Sequence, residues 1–216
     1  MRRVSATPLV FQEDPEIMTT TAERVRELRD KTGAGVMDCK EALAASQDDL
    51  DKAVDYLRKK GLASVAKRAH REARDGVVGT YVHPGAKLGV LIEVSCETDF
   101  VAKTDQFQDL VKSLAMQVAA ANPSYVAREN VPAAVLEREK EIYREQMGGQ
   151  KKPPQVMEKI IEGKLGKFFE DMCLLDQAHI RDSSGKTRVK DLVAQVSAQT
   201  GEKIAVRRFV RFQVGE

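Results

Sequence analysis

Leu88-Gly89-Val90-Leu91-Ile92-Glu93-Val94-Ser95-Cys96-Glu97-Thr98-Asp99-Phe100-Val101 is the stretch on which the fold turns. From Leu88 to Cys96 the apolar and β-branched residues give a strand pattern. That strand runs directly into two carboxylates and a Phe, and a helical pattern resumes a few residues later. The outcome is a tip carrying charge and an aromatic ring, pinned on both sides by regular structure. Loops held on rigid scaffolds are where binding groups sit. Two readings of Phe100 compete: the ring is presented at the tip, or it folds into the core while Asp99 caps the next helix. Residue type alone favours the core, because a buried Phe is the common case.

Working outward, Val77 to Val82 alternates around Gly79 and meets Leu88–Cys96 across His83-Pro84-Gly85, a pattern for an antiparallel hairpin. Phe107, Leu110, Val111, Leu114 and Val118 mark an amphipathic helix stopped by Asn122-Pro123. Pro132 stands where helices start, and Val135, Leu136, Ile142 and Tyr143 line the helix that follows. Val156, Ile160, Ile161, Leu165 and Phe168 continue helically after the Gly148-to-Pro154 loop. Val189, Leu192, Val193 and Val196 make a last helix ended by Gly201, and Ile204 to Phe212 closes as a strand. Strands at both ends with helices between predict an α+β core over residues 76–216, one antiparallel sheet covered by helices.

Upstream lies a smaller helical module over residues 18–61. Thr20-Thr21-Ala22-Glu23 has the form of a capping box, and Val25 and Leu28 give that helix an apolar side. Gly33 and Gly35 break it, and Val36, Cys39 and Leu43 fit a second helix. Leu50, Ala53, Val54 and Leu57 mark a third, with Gly61 as its expected C-terminal stop. Residues 1–17, with Pro8 and Pro15 and the acids Glu13, Asp14 and Glu16, read as a disordered extension ahead of Met18. They lack the apolar run of a secretory signal.

Between the modules, residues 62–75 form a basic helical linker. From Arg58 to Arg74 there are seven Lys/Arg and one acid. A basic helix can track phosphates. The residues favour a solvated helical connector instead, since no aromatic is present there for base stacking.

The 216-residue chain carries a net charge of only +2, so nothing global argues for a nucleic-acid or membrane partner. No apolar run approaches the roughly 20 residues that span a bilayer. Cys39, Cys96 and Cys173 are few and widely spaced, a pattern of a reducing compartment. With no CxxC pair and three isolated histidines, a structural zinc site is not expected. Glu97 and Asp99 are oxygen ligands that suit Mg²⁺, but two acids make an incomplete set. Cys96 beside those acids should have a raised thiol pKa, which disfavours a reactive thiolate. No phosphate-cradling glycine loop is present. The chemistry points to a binding protein and not an enzyme, with no cofactor.

Thr32-Gly33-Ala34-Gly35-Val36-Met37-Asp38-Cys39-Lys40 with Ala42-Leu43 resembles the N-terminal signature of the translation elongation factor Ts family. Cys96-Glu97-Thr98-Asp99-Phe100-Val101 resembles its second signature, and Gly201-Glu202 with Val206-Arg207-Arg208-Phe209 its ending. The similarity runs from about Met18 to the C-terminus. Val36 replaces a common Met, and Ala178-His179 stands where the family often has Pro and an aromatic. The resemblance implies a cytoplasmic guanine-nucleotide exchange factor for elongation factor Tu, with a UBA-like three-helix bundle at its N-terminus. It implies that Phe100 is a wedge between helices of Tu and that Asp99 supplies charge beside its Mg²⁺ network. Thr98 and Val101 shape that tip. Val36 and Met37 are a second contact, although each also fits the core of the small bundle. Short members, which this chain resembles, are implied to act as homodimers without the second core subdomain and projecting coiled coil of longer ones. The implied partners are Tu in its GDP-bound and nucleotide-free forms, with no direct nucleic acid and no membrane.

Overall fold

A computed structural model describes residues 15–147 and 153–215, giving backbone only for residues 15–21. It divides into two compact units, Met1–Gly61 and Leu62–Glu216.

The first unit holds α1 (Pro15–Thr32), α2 (Val36–Ala45) and the start of α3 (Leu50–Arg68). Val25, Leu28, Cys39, Ala42, Leu43 and Ala53 form its core. Their spacing on α2 shows why the helix amphipathy is shallow: Cys39, Ala42 and Leu43 are small or mid-sized, so the helices approach closely. Gly33 takes a φ of 66° at the break between α1 and α2, a conformation that glycine adopts without a Cβ penalty.

Three expectations are corrected here. The first helix begins at Pro15, so Thr20 lies inside it and does not cap it, and residues 15–17 are helical. Proline is well suited to the first helical position. The rest of the expected N-terminal extension, residues 1–14, lies outside the described residues. Gly61 does not end the third helix, which continues to Arg68. A helix carries an interior glycine at a cost of about 1 kcal/mol, and the helix-forming Leu62, Ala63, Ala66 and Lys67 follow.

The linker is therefore helical as far as Arg68, and it is not a solvated connector throughout. Arg68 is buried. Its guanidinium donates to Ser64 Oγ and, at 3.0 Å, to the Ser197 carbonyl.

The second unit is built on a three-stranded antiparallel sheet, β1 (Asp75–Val82), β2 (Leu88–Cys96) and β3 (Ala205–Gln213), with β2 in the centre. Period-two alternation sends Val90, Ile92 and Val94 into the core. There they meet Phe107, Leu110, Val111, Leu114 and Val118 of α5 (Asp105–Ala121) and Val189 and Val196 of α8 (Val189–Thr200). All five residues expected to form the apolar face of α5 are buried. The partner rows Val82–Gly89–Phe212, Thr80–Leu91–Val210 and Val78–Glu93–Arg208 share the opposite face. On it Val78, Val82, Leu91, Val210 and Phe212 are exposed.

Register shifts between Glu93 and Val94, because Arg208 pairs with Glu93 and Val206 with Val94. Arg207 is the extra residue of this bulge. Its guanidinium donates to Ser95 Oγ at 2.9 Å and to the Ala73 carbonyl at 2.7 Å.

The helices between the outer strands do not all cover the sheet as the sequence suggested. α6 (Ala133–Gln146) packs against α7 (Pro154–Met172) as a helical pair. At its base, Val131, Phe168 and Cys173 form a separate small cluster with Tyr125, Val135, Leu136 and Phe169. Amphipathy calls for cover over one face of each helix, and here the cover is partial: Ile161 and Phe168 of α7 are buried, while no residue of α6 is.

Candidate functional site

The end of β2 delivers the tip. Thr98 has extended dihedrals, φ −133° and ψ 156°, and caps the four-residue helix α4 (Asp99–Ala102). Its Oγ1 accepts the Val101 N–H at 3.4 Å. A second threonine closes the far side: Thr104 Oγ1 donates to the Val101 carbonyl at 2.8 Å and accepts the Phe107 N–H at the start of α5. Two capping threonines thus hold one turn of helix between a strand and a long helix.

At about 100° per residue, positions 100 and 102 of that turn face nearly opposite ways. Ala102 is buried and Val101 packs against the main core. Phe100 consequently points outward and is 79% exposed. The reading that folds Phe100 into the core is set aside, as is capping by Asp99, since the cap is Thr98. A bare ring of this size on a well-held turn is not a packing element, since aromatic rings are normally buried for their large apolar area.

The carboxylates around the ring are engaged separately. Asp99 Oδ2 accepts from Lys103 Nζ at 2.6 Å, one helical turn on. That hydrogen bond holds its carboxyl below the usual aspartate range. Glu97 Oε1 accepts the Lys203 backbone N–H at 2.6 Å, with Arg71 nearby at 3.4 Å. The same backbone bond, with the Arg71 charge, holds the Glu97 carboxyl below its ordinary value. The Mg²⁺-ligand reading of Glu97 and Asp99 gains no third partner. Among the described residues no group of three or more His, Cys, Asp or Glu is placed to hold a metal ion.

Cys96 lies beneath the tip, fully buried, with its thiol donating to the Thr98 carbonyl. Burial first, then the charges of Glu202 and Asp75, push that thiol up to about 11. The direction is the expected one, but the acids responsible are not Glu97 and Asp99. A Ser–His pair also exists, Ser113 Oγ lying 2.9 Å from His179 Nε2. Ser113 is buried, which closes its hydroxyl to a substrate.

In the first unit, Val36 and Met37 open α2 behind Gly35, which caps it without a side chain. They are 45% and 75% exposed. Both are exposed in the first turn of the helix, so the alternative that places them in the bundle core is also set aside. A flexible thioether adapts well to another protein's surface.

A residue distant in sequence also stands at the tip. Glu202, between α8 and β3, accepts hydrogen bonds from the backbone of Glu97 and Thr98 and from the Thr98 hydroxyl. The pairing spans more than 100 residues, so no local pattern announces it.

Comparison with known proteins places the chain among relatives. Residues 44–216 match the family described as elongation factor TS. The chain is 56% identical over 199 residues to elongation factor Ts of Thermodesulfovibrio yellowstonii, covering 92% of this chain and 98% of that one. It is 57% identical over 195 residues to elongation factor Ts of Moorella thermoacetica, covering 90% and 95%. Against elongation factor Ts of Fervidobacterium nodosum the identity is 54%, over 92% of this chain and all of the other. No helix among the described residues is long and apolar enough to cross a membrane. With the family match over most of the chain and near-complete coverage of these relatives in agreement, the chain belongs to the elongation factor Ts family of translation elongation factors.

Proposed function

We propose that this elongation factor is a guanine-nucleotide exchange factor for elongation factor Tu, acting in the cytoplasm without making or breaking a covalent bond. It binds Tu·GDP and nucleotide-free Tu, and it needs neither nucleic acid nor a membrane to do so. The observation that carries the reading is Phe100, an exposed ring on a turn fixed at both ends. Such a ring suits insertion between helices of a partner, because burying it there gains about 1.5–3 kcal/mol. Asp99 is ionised beside it and places a negative charge next to the network that supports Mg²⁺ in Tu. Disturbing that network leaves the GDP phosphates uncompensated, so GDP departs faster. Thr98 and Val101 set the shape of the tip. The first unit, read as a UBA-like bundle, adds Val36 and Met37 as a second contact.

Linkage constrains the cycle. A factor that lowers the affinity of Tu for GDP is itself released by nucleotide to the same degree. The ternary complex is then a short-lived intermediate, which suits a catalyst of exchange.

The exposed sheet face of Val78, Val82, Leu91, Val210 and Phe212 supports a homodimer. A contiguous apolar face of this kind marks an association site, and a second copy of the chain offers the same face in return.

Size-exclusion chromatography with light scattering tests the partner directly. The chain is expected to run as a dimer and to shift to a larger complex with Tu·GDP. Retention of RNA with no shift by Tu would favour instead a nucleic-acid role for Arg58–Arg74.

A further inference from the structure

We propose that Glu202 is a positioning residue that holds the Thr98–Val101 tip in its working geometry. The proposal rests on the reading of that tip as the element that acts on Tu.

The carboxylate of Glu202 takes three donors, all from the base of the tip. Oε1 accepts from Thr98 Oγ1 at 2.6 Å. Oε2 accepts the backbone N–H groups of Glu97 and Thr98, each at 3.0 Å. Hydrogen bonds to an ionised carboxylate are shorter and stronger than neutral ones. By accepting the hydrogen bond that the Thr98 hydroxyl donates, Glu202 also turns the lone pairs of that hydroxyl towards the Val101 N–H that it caps. The capping geometry of α4 thus depends on a residue 104 positions away.

The contact is reciprocal. Glu97 Oε1 accepts the backbone N–H of Lys203, so two carboxylates cross between the same two segments. Glu202 is itself fixed from behind. Its carbonyl accepts from Ser197 Oγ at 2.5 Å, and the Ser197 carbonyl accepts from the buried Arg68. Lys203 Nζ donates to the carbonyls of Ala69 and Arg71. Phe100 cannot supply this rigidity, because its ring is mostly in solvent. A four-residue helix has too few internal hydrogen bonds to hold itself. What orients the ring is the cap, and what orients the cap is Glu202.

The test measures release of fluorescent GDP from Tu at rising concentrations of the full chain, with amide hydrogen exchange and a thermal melt on the same samples. Wild type sets the plateau rate. Glu202→Ala is expected to lower that plateau about tenfold, as the loss of charge-assisted hydrogen bonds implies. Its half-saturating concentration should stay within about threefold, since the other docking surfaces persist. Exchange should rise at residues 97–101 while Val90–Val94 stay protected. Glu202→Gln, which keeps an acceptor oxygen but turns an NH₂ towards backbone donors, should fall between. If Glu202→Ala does not fold, Glu202→Gln decides by the same two readouts. An unchanged plateau in a folded variant overturns the proposal, and so does equal loss of protection in β2, which is general destabilisation. If wild type itself fails to accelerate release, the exchange reading fails, and the hydrogen-exchange result at residues 97–101 still decides whether Glu202 positions the tip.

Discussion

Asp176 shows how a single charge is made stable inside the second unit. Its side chain is 8% exposed and takes Arg128 Nε and Nη2 at 2.8 and 2.9 Å and Lys190 Nζ at 3.0 Å. The Arg128 guanidinium also lies 4.8 Å from the centroid of the Phe169 ring. Burial pushes the Asp176 carboxyl up, but the hydrogen bonds from Arg128 and Lys190 outweigh it, and the net position is below the ordinary 3.8. A carboxyl whose folded pKa lies below its unfolded one adds stability above the unfolded value. That stability is lost as pH falls through the folded value. Asp176→Asn should therefore cost about 1–3 kcal/mol at pH 7, since it removes charge-assisted hydrogen bonds at a buried site. Urea melts of both proteins should show the gap closing as the pH drops below 3.8. A gap independent of pH would mean that the carboxylate charge is not what the site uses.

At the scale of elements, the fit of α5 onto the sheet depends on Gly79 in β1. A Cβ added there would lie 2.2 Å from Val111 Cγ1, a contact that must displace a buried, β-branched side chain. Gly79→Ala is accordingly expected to destabilise the second unit by about 1–3 kcal/mol through overpacking, read as a lower melting temperature. An unchanged or higher melting temperature would show that α5 shifts freely. Gly79 was legible in the sequence only as a break in an alternating strand. The hairpin, α5, α8 and β3 were legible because each carries a strict period of two or of 3.6. The helical pair of α6 and α7 was not, because periodicity says that a face is buried without saying against what. Gly61 misled for a related reason: a glycine permits a helix end but does not impose one. At the site, the order Thr98, Asp99, Phe100, Val101 was readable, but residue type alone placed the ring inside. The capping by Thr98 and Thr104 that turns it outward is a three-dimensional arrangement, and the Glu202 contact joins segments that no window of sequence brings together.

For the whole molecule, a scaffold can be told apart from the two proposed partner contacts. The scaffold is a sheet and two helices whose core is filled by Val90, Ile92, Val94, Phe107 and Leu114. The exposed tip follows the end of the central strand β2, and Val36 and Met37 open the second helix of the other unit. Among the described residues neither place gathers three or more His, Cys, Asp or Glu that could hold a metal ion. The central claim is that the Phe100 ring drives nucleotide out of elongation factor Tu. Stopped-flow release of fluorescent GDP from Tu, with wild type and Phe100→Ala compared alongside a thermal melt, addresses it most directly. Because the ring is in solvent, the melting temperature should move little. The loss of about 1.5–3 kcal/mol of ring burial in the complex should slow factor-stimulated release by roughly 10- to 100-fold. A folded Phe100→Ala protein that releases GDP as fast as wild type would contradict the account.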